Sequence, residues 1–210
     1  FAGPNVTFDG QGHTIDISGV SDFAGLFYNG DSSYPRHNIT IKNLGVTSSG
    51  STTLAQYGGW ICQSYFGKGA SNNKIENCYS TGAISDLYSG GICGSYAGYT
   101  DGYVTIENCY SLGAISGQNS GGICGLNTGI SNGTVTVTNC YSLGDISGQY
   151  AGGICGLYAG YTSGNVTIEN CYSLGNISAD DAGGICGYAA GRDSATVTIK
   201  NCYSEGAISG

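Results

Sequence analysis

The chain has 210 residues, 39 of them glycine, and a formal net charge of −8 that rests on only six lysines and arginines. Glycine so abundant without a G-X-Y period, and with two prolines, excludes collagen, while 40% apolar residues and 17 tyrosines exclude a disordered chain. The acidic balance opposes the phosphate attraction on which nucleic-acid binding depends, and no apolar run reaches the roughly 20 residues of a membrane helix.

In chain order, the first elements are short strands. NVTFDG at 5–10 and NITIKNLGV at 38–46 alternate apolar and polar residues, the period-2 mark of a half-buried strand, and AGLF at 24–27 is a further short apolar stretch. Residues 1–57 contain no cysteine. Phe1 is no translation start and no targeting segment is visible, so the sequence reads as a processed or excerpted chain.

From residue 58 a repeat takes over. Cysteines fall at 62, 78, 93, 109, 124, 140, 155, 171, 186 and 202, with separations alternating between 16 and 15, so two interleaved series each advance by 31. The first series sits in GGICG at 90–94, 121–125, 152–156 and 183–187, opened by GGWIC at 58–62; the second sits in NCYS beginning at 77, 108, 139, 170 and 201. VTIE at 104–107, VTVT at 135–138, VTIE at 166–169 and VTIK at 197–200 read as strands with Val and Ile inward and Thr outward. GGIC and GAIS supply two more short strands, with glycines at the corners. A unit this constant is a backbone coil stacked on copies of itself. The predicted fold is therefore an all-β, single-domain parallel β-solenoid of about seven coils, with about three short strands in each. Residues 1–57 form its cysteine-free coils and residues 58–210 five cysteine-containing repeats. Seven passes of the inward strand, Val6 to Ile199, make a column roughly 30 to 35 Å long.

GGICG followed by NCYSLGAISG resembles the GLUG-type repeats of bacterial and other surface proteins over residues 58–210, and NVTFDGQGHTIDI resembles the opening coil of right-handed pectin-lyase-like β-helices. The resemblance implies a right-handed parallel β-helix displayed at a surface. It carries no catalytic residue onto this chain.

The cysteine spacing fits two pairing schemes. Disulfides can close within units (Cys62–Cys78, Cys93–Cys109, Cys124–Cys140, Cys155–Cys171, Cys186–Cys202) or across them from Cys78–Cys93 onward, which strands Cys62 and Cys202. Phe27 and Leu44 hold the equivalent places in the preceding coil, so both positions lose cysteine together and turn apolar. That favours within-unit bonds crossing the interior, each closing a loop of about 16 residues and contributing on the order of 3 kcal/mol in the chain-entropy model. Such regular cysteines point to an oxidising compartment and export; columns of free buried thiols are the alternative. No two cysteines lie closer than 15 residues and His13 and His37 fall outside the cysteine repeats, so neither a metal nor a cofactor is expected.

Stacking turns each repeat position into a row. Asn43, Asn77, Asn108, Asn139, Asn170 and Asn201 make a corner ladder of side-chain amides, beside stacked Tyr79, Tyr110, Tyr141, Tyr172 and Tyr203. The outward row Asp9, Lys42, Glu76, Glu107, Thr138, Glu169, Lys200 sets Glu76 over Glu107, which a solvated edge explains better than an acid/base pair. The threonine row Thr7, Thr40, Thr105, Thr136, Thr167 and Thr198 raises ice binding, against which stand the charged residues two positions on. Sequons at Asn5, Asn38, Asn132, Asn165 and Asn176 are candidate glycosylation sites, three of them at one repeat position. Tyr96, Tyr99, Tyr158 and Tyr161 in the loops after GGICG are candidate glycan-binding residues. Asp9, Asp16, Asp22, Asp31 and His13 gather in the first coils, where turn and cap roles account for them better than catalysis.

The template begins within five residues of the start and is still running at Gly210, without a polar cap at either end. Either the chain is part of a longer array or its ends cover one another in neighbouring copies, Lys200 landing beside the next molecule's Asp9. These observations lead to a non-enzymatic extracellular structural protein, the protomer of a head-to-tail fibre or surface stalk, partnered with itself and with covalent glycans. The alternatives are a glycan-binding adhesin segment, then a polysaccharide lyase or hydrolase.

Overall fold

The computed structural model describes residues 3–30, 34–48 and 52–209; the expectation for Asp31 lies outside them. The described residues contain strands, bridges and turns and no helix. Seven strands repeat one pass of the coil: β1 (Val6–Asp9), β3 (Ile39–Thr47), β4 (Asn73–Ser80), β5 (Tyr103–Glu107), β7 (Thr134–Thr138), β9 (Asn165–Glu169) and β11 (Thr196–Lys200). β2 (Thr14–Asp16), β6 (Tyr110–Ser111), β8 (Tyr141–Ser142), β10 (Tyr172–Ser173) and β12 (Tyr203–Ser204) make the next. β3 and β4 run through both passes, so β4 carries β5 on one half and β6 on the other. All pairings are parallel, and all belong to one 12-stranded sheet that winds through about six turns. Like sits over like: Val104 pairs with Val135 and Val135 with Val166, each 31 residues on.

The burial follows the pleat. Val104, Ile106, Val135, Val137, Val166 and Ile168 are fully buried, and the threonines between them are half-buried on the outer face. Each such side chain contributes roughly 1.5 to 3 kcal/mol by leaving water, a gain made once per turn. The register also places Phe27 against Cys62 and Leu44 against Cys78, the equivalence expected of the cysteine-free coil. Asn73 breaks the pattern, occupying the inward place held by Val104 one turn later. It is fully buried and its Oδ1 accepts the Ile39 N–H at 3.0 Å. Trp60 likewise takes the place that Gly91 holds in the next turn and stacks at 5.7 Å on Phe23, filling the junction with the cysteine-free coils.

The GGIC and GAIS stretches do not form the short strands expected of them. Each contributes isolated bridges, Gly90 to Gly121 and Cys93 to Cys124 in the first, Ile115 to Ile146 in the second. The reason lies in the hydrogen bonds: the N–H groups of both Ile92 and Cys93 donate to the one carbonyl of Ile123, at 3.0 and 2.9 Å. Consecutive donors to one acceptor bend the chain sharply, where a ladder would use alternate residues. Glycine is required at the middle of this bend, because a Cβ on Gly122 would collide with the carbonyl oxygen of Gly153.

Asparagine makes the other corner. Asn43, Asn77, Asn108, Asn139, Asn170 and Asn201 all have φ between 51° and 54°, the left-handed conformation that Asn tolerates better than other side-chain-bearing residues. Each ends one strand pass and starts the next.

Because each coil touches only its neighbours, the cost of a cavity depends on height in the stack. Replacing Ile106 by Ala in the middle is expected to cost about 2–5 kcal/mol. Replacing Ile199, 49% exposed on the last described coil, is expected to cost less than about 1 kcal/mol. Urea titrations of the two variants measure both.

Candidate functional site

The structure presents rows in place of a cleft. No enclosed cavity and no cluster of metal-ligating side chains occurs among the described residues, and no helix there is long and apolar enough to cross a membrane.

The cysteines build two parallel columns inside the coil. Cys62, Cys93, Cys124, Cys155 and Cys186 stand in register in one, and Cys78, Cys109, Cys140, Cys171 and Cys202 in the other. Cys62 to Cys171 are buried; Cys186 and Cys202 are partly exposed where the stack stops. The two columns are close enough for Cys62 to sense charge on Cys78, Cys155 on Cys171 and Cys186 on Cys202, the partners expected within units. All ten thiols are unbonded in the structure. In the second column each donates to the carbonyl two residues back, as Cys109 Sγ does to Glu107 at 3.2 Å, and Cys109 N–H points at Cys140 Sγ at 3.4 Å. Burial holds the Cys62 and Cys93 thiols far above their usual range and pushes Cys186 up to about 12. Such groups stay protonated and unreactive towards alkylation at neutral pH.

Outside, the polar rows satisfy one another. Asn77 Nδ2 donates to Asn43 Oδ1 at 3.1 Å, Asn139 to Asn108 at 3.3 Å and Asn201 to Asn170 at 3.2 Å, while Asn43 reaches Asp9 at 2.9 Å. That bond holds the Asp9 carboxyl below its usual value, aided by the Gln11 N–H and by Lys42. Glu76 and Glu107 are paired in register, and Lys74 lies between them at 2.5 and 2.7 Å, its pKa raised by both. This clamp offsets the repulsion between the two carboxylates and engages both in ion pairs.

Tyr79, Tyr110, Tyr141, Tyr172 and Tyr203 stack with ring centroids 4.8 to 5.2 Å apart and planes within 2–7° of parallel. Partial burial, then the neighbouring rings, push the Tyr110 and Tyr141 phenols upward. The fold therefore favours the neutral phenol: this stability is complete below the unfolded value near pH 10 and is lost as pH rises through the folded values. The thermal midpoint is expected to fall steeply above about pH 10, together with the rise of phenolate absorbance in a pH titration, and Tyr110→Phe with Tyr141→Phe should soften that fall.

All five sequon asparagines, Asn5, Asn38, Asn132, Asn165 and Asn176, are exposed. Asn5, Asn38 and Asn165 share one row, as expected. Within it Asn38 Nδ2 donates to Asn5 Oδ1 at 2.6 Å and Asn72 to Asn38 at 3.1 Å, a second amide ladder. Asn176 Oδ1 accepts the Ala207 N–H at 3.1 Å.

The loop tyrosines fall into two further rows that were not legible as rows in the sequence. One contains Tyr57, Tyr88 and Tyr150, the other Tyr65, Tyr96 and Tyr158, and all six have φ between 59° and 66°. Tyr57 stacks on Tyr88 at 4.8 Å and Tyr65 on Tyr96 at 4.7 Å. Tyr99 sets its edge against Tyr65 and Tyr96, and Lys68 lies over the Tyr65 and Tyr99 rings at 5.2 and 5.1 Å. Tyr158 and Tyr161 stack at 4.9 Å. Of the four tyrosines expected to bind glycans, Tyr96 thus meets Tyr99 and Tyr158 meets Tyr161, in separate clusters.

His37 meets Ser71, with Nδ1 3.0 Å from Ser71 Oγ. The same nitrogen accepts the Ser71 backbone N–H at 3.0 Å, and no carboxylate bonds the ring among the described residues. The contact is a turn cap, since a nitrogen already holding a main-chain proton is a poor base for the hydroxyl beside it.

The fold defines a parallel β-solenoid repeat protein. No protein-family model matches the chain, and no curated protein matches it. Among solved structures it is similar to a protein from Bacteroides ovatus described as a "putative immunoglobulin A1 protease", with 27% identity and a TM-score of 0.64. The match covers 94% of this chain and 59% of the other, so the chain spans somewhat over half the length of that structure.

Proposed function

We propose that this chain is a structural module of an extracellular protein, a rigid β-solenoid segment of a fibre or surface stalk, without catalytic activity of its own. The observation that carries this reading is the constancy of the coil. Every turn from Gly59 to Gly183 repeats the same bridges, the loops do not lengthen, and the exposed rows continue from turn to turn. Enzymes built on solenoids need a place where that regularity is broken by converging groups. The GLUG-like motifs support a surface context.

Burial falls off on the last described coil. There Ile199 and Ile208 are 49% and 76% exposed, against full burial of Ile168 and 4% exposure of Ile177 one turn below. In the exported protein the two thiol columns close into within-unit disulfides. Glycans on the exposed sequons coat the outside.

Thiol titration under denaturing, non-reducing conditions separates the pairing schemes without a structure. Within-unit bonds leave no free thiol. Bonds across units, from Cys78–Cys93 onward, leave Cys62 and Cys202 free. A result of ten free thiols in material taken from its natural source, or no concentration dependence in sedimentation and electron microscopy of the chain, would remove the stapled, stacking account. A second reading, adhesion to glycans, is favoured by the half-buried loop tyrosines.

A further inference from the structure

Lys68 stands apart among the lysines. Lys42 pairs with Asp9, Lys74 with Glu76 and Glu107, and Lys200 with Glu169. Lys68 makes no ion pair among the described residues, and its ammonium lies over the Tyr65 and Tyr99 rings instead. Those rings meet at a corner. Tyr65 and Tyr96 are parallel within 8°, and Tyr99 stands across them at 60° and 68°, its centroid 5.8 Å from each. The main chain fixes Lys68 there, because its N–H donates to the Tyr65 carbonyl at 3.0 Å and that of Gly69 donates to the Tyr99 carbonyl at 2.9 Å. Tyr99, Ile130 and Tyr161 make the equivalent bond to Tyr96, Asn127 and Tyr158, so they hold the place of Lys68 in the next three turns. Across those four turns the row is charged at one height only.

The corner is kept at a cost. Tyr57, Tyr65, Tyr88 and Tyr96 hold φ between 62° and 66°, a conformation that bulky side chains avoid and that Asn119 and Asn127 adopt with less strain one turn further on. Strain of this kind gathers where a surface is used. These four tyrosines, Tyr99 and Lys68 are all half-buried, so each still reaches water, and together they form open surface rather than an enclosed cavity. Ring faces attract an ammonium without neutralising it, and they engage only part of its three N–H donors. The remaining donors and the uncompensated charge suit an anionic group, and the rings around them suit the C–H face of a sugar.

We propose that this corner binds a single carboxylated sugar unit, a uronate, within an otherwise neutral glycan, its carboxylate on the Lys68 ammonium and its ring against Tyr96 and Tyr99. The net charge of −8 repels densely anionic polymers, a field that physiological salt screens over about 8 Å, so contact with Lys68 decides for an isolated carboxylate. The inference rests on the adhesion reading, to which it adds the chemical class of the ligand.

The test is a nuclear magnetic resonance titration of the full chain with matched trisaccharides of glucose, galactose or mannose, each neutral or with its central unit oxidised to the uronate, following the Gly69 and Tyr99 amide signals. At least one uronate probe is expected to shift both with a Kd in the millimolar range, and to bind about five- to tenfold more tightly than its neutral counterpart. Lys68→Gln should abolish that preference, Tyr99→Ala should weaken the uronate about three- to tenfold, and Tyr110→Ala, in the separate tyrosine stack, should change nothing. Equal binding of both members of each pair, a preference that survives Lys68→Gln, or shifts confined to Tyr158 and Tyr161 would overturn the uronate corner but keep adhesion. No shift with any probe at about 10 mM would overturn both.

Discussion

Each coil of this chain must lie one strand spacing, about 4.8 Å, above an identical coil, with like residue over like. That constraint selects residues more severely than a globular core does, because a side chain has to suit its own surroundings and those of its copies above and below. Branched aliphatics meet it inside, since Val and Ile stack without leaving gaps. Asparagine meets it at one corner, where the amide both permits the left-handed turn and bonds the next amide in the row. Glycine meets it at the other, where carbonyl oxygens of successive coils pass too close for a Cβ. Like charges fail it, and the single place where two glutamates are stacked carries Lys74 between them.

Much of this was legible beforehand, because periodicity is what a sequence records best. The inward strands, the cysteine columns, the asparagine ladder, the tyrosine stack and the equivalence of Phe27 and Leu44 with cysteines all follow from writing the 31-residue units over one another. Features set by backbone detail were not legible. Alternation in GGIC looks like a strand, yet two adjacent N–H groups share one carbonyl there and the segment bends. Propensity assigns left-handed turns to Gly and Asn, so it gave no reason to place Tyr57, Tyr88 and Tyr150 in one such row. Asn73, polar and wholly buried, was hidden by the strength of the strand pattern around it.

The functional account divides along the same line. Stiffness and repetition are properties of the stack as a whole, and they support a structural role in which no single residue is indispensable. Recognition, by contrast, requires that particular side chains converge, and the loop tyrosine clusters are where aromatic rings do so.

The central claim is the register itself, and distance measurement along one outer row tests it most directly. Ser116, Ser147 and Ser178 are exposed and follow the paired isoleucines 115, 146 and 177. Spin labels carried there on noncanonical residues, which leave the native thiols untouched, should report separations that grow by about 4.8 Å for each turn between them. Separations that fail to double from one turn to two, or that place Ser116 as close to Ser178 as to Ser147, would contradict in-register stacking and everything built on it.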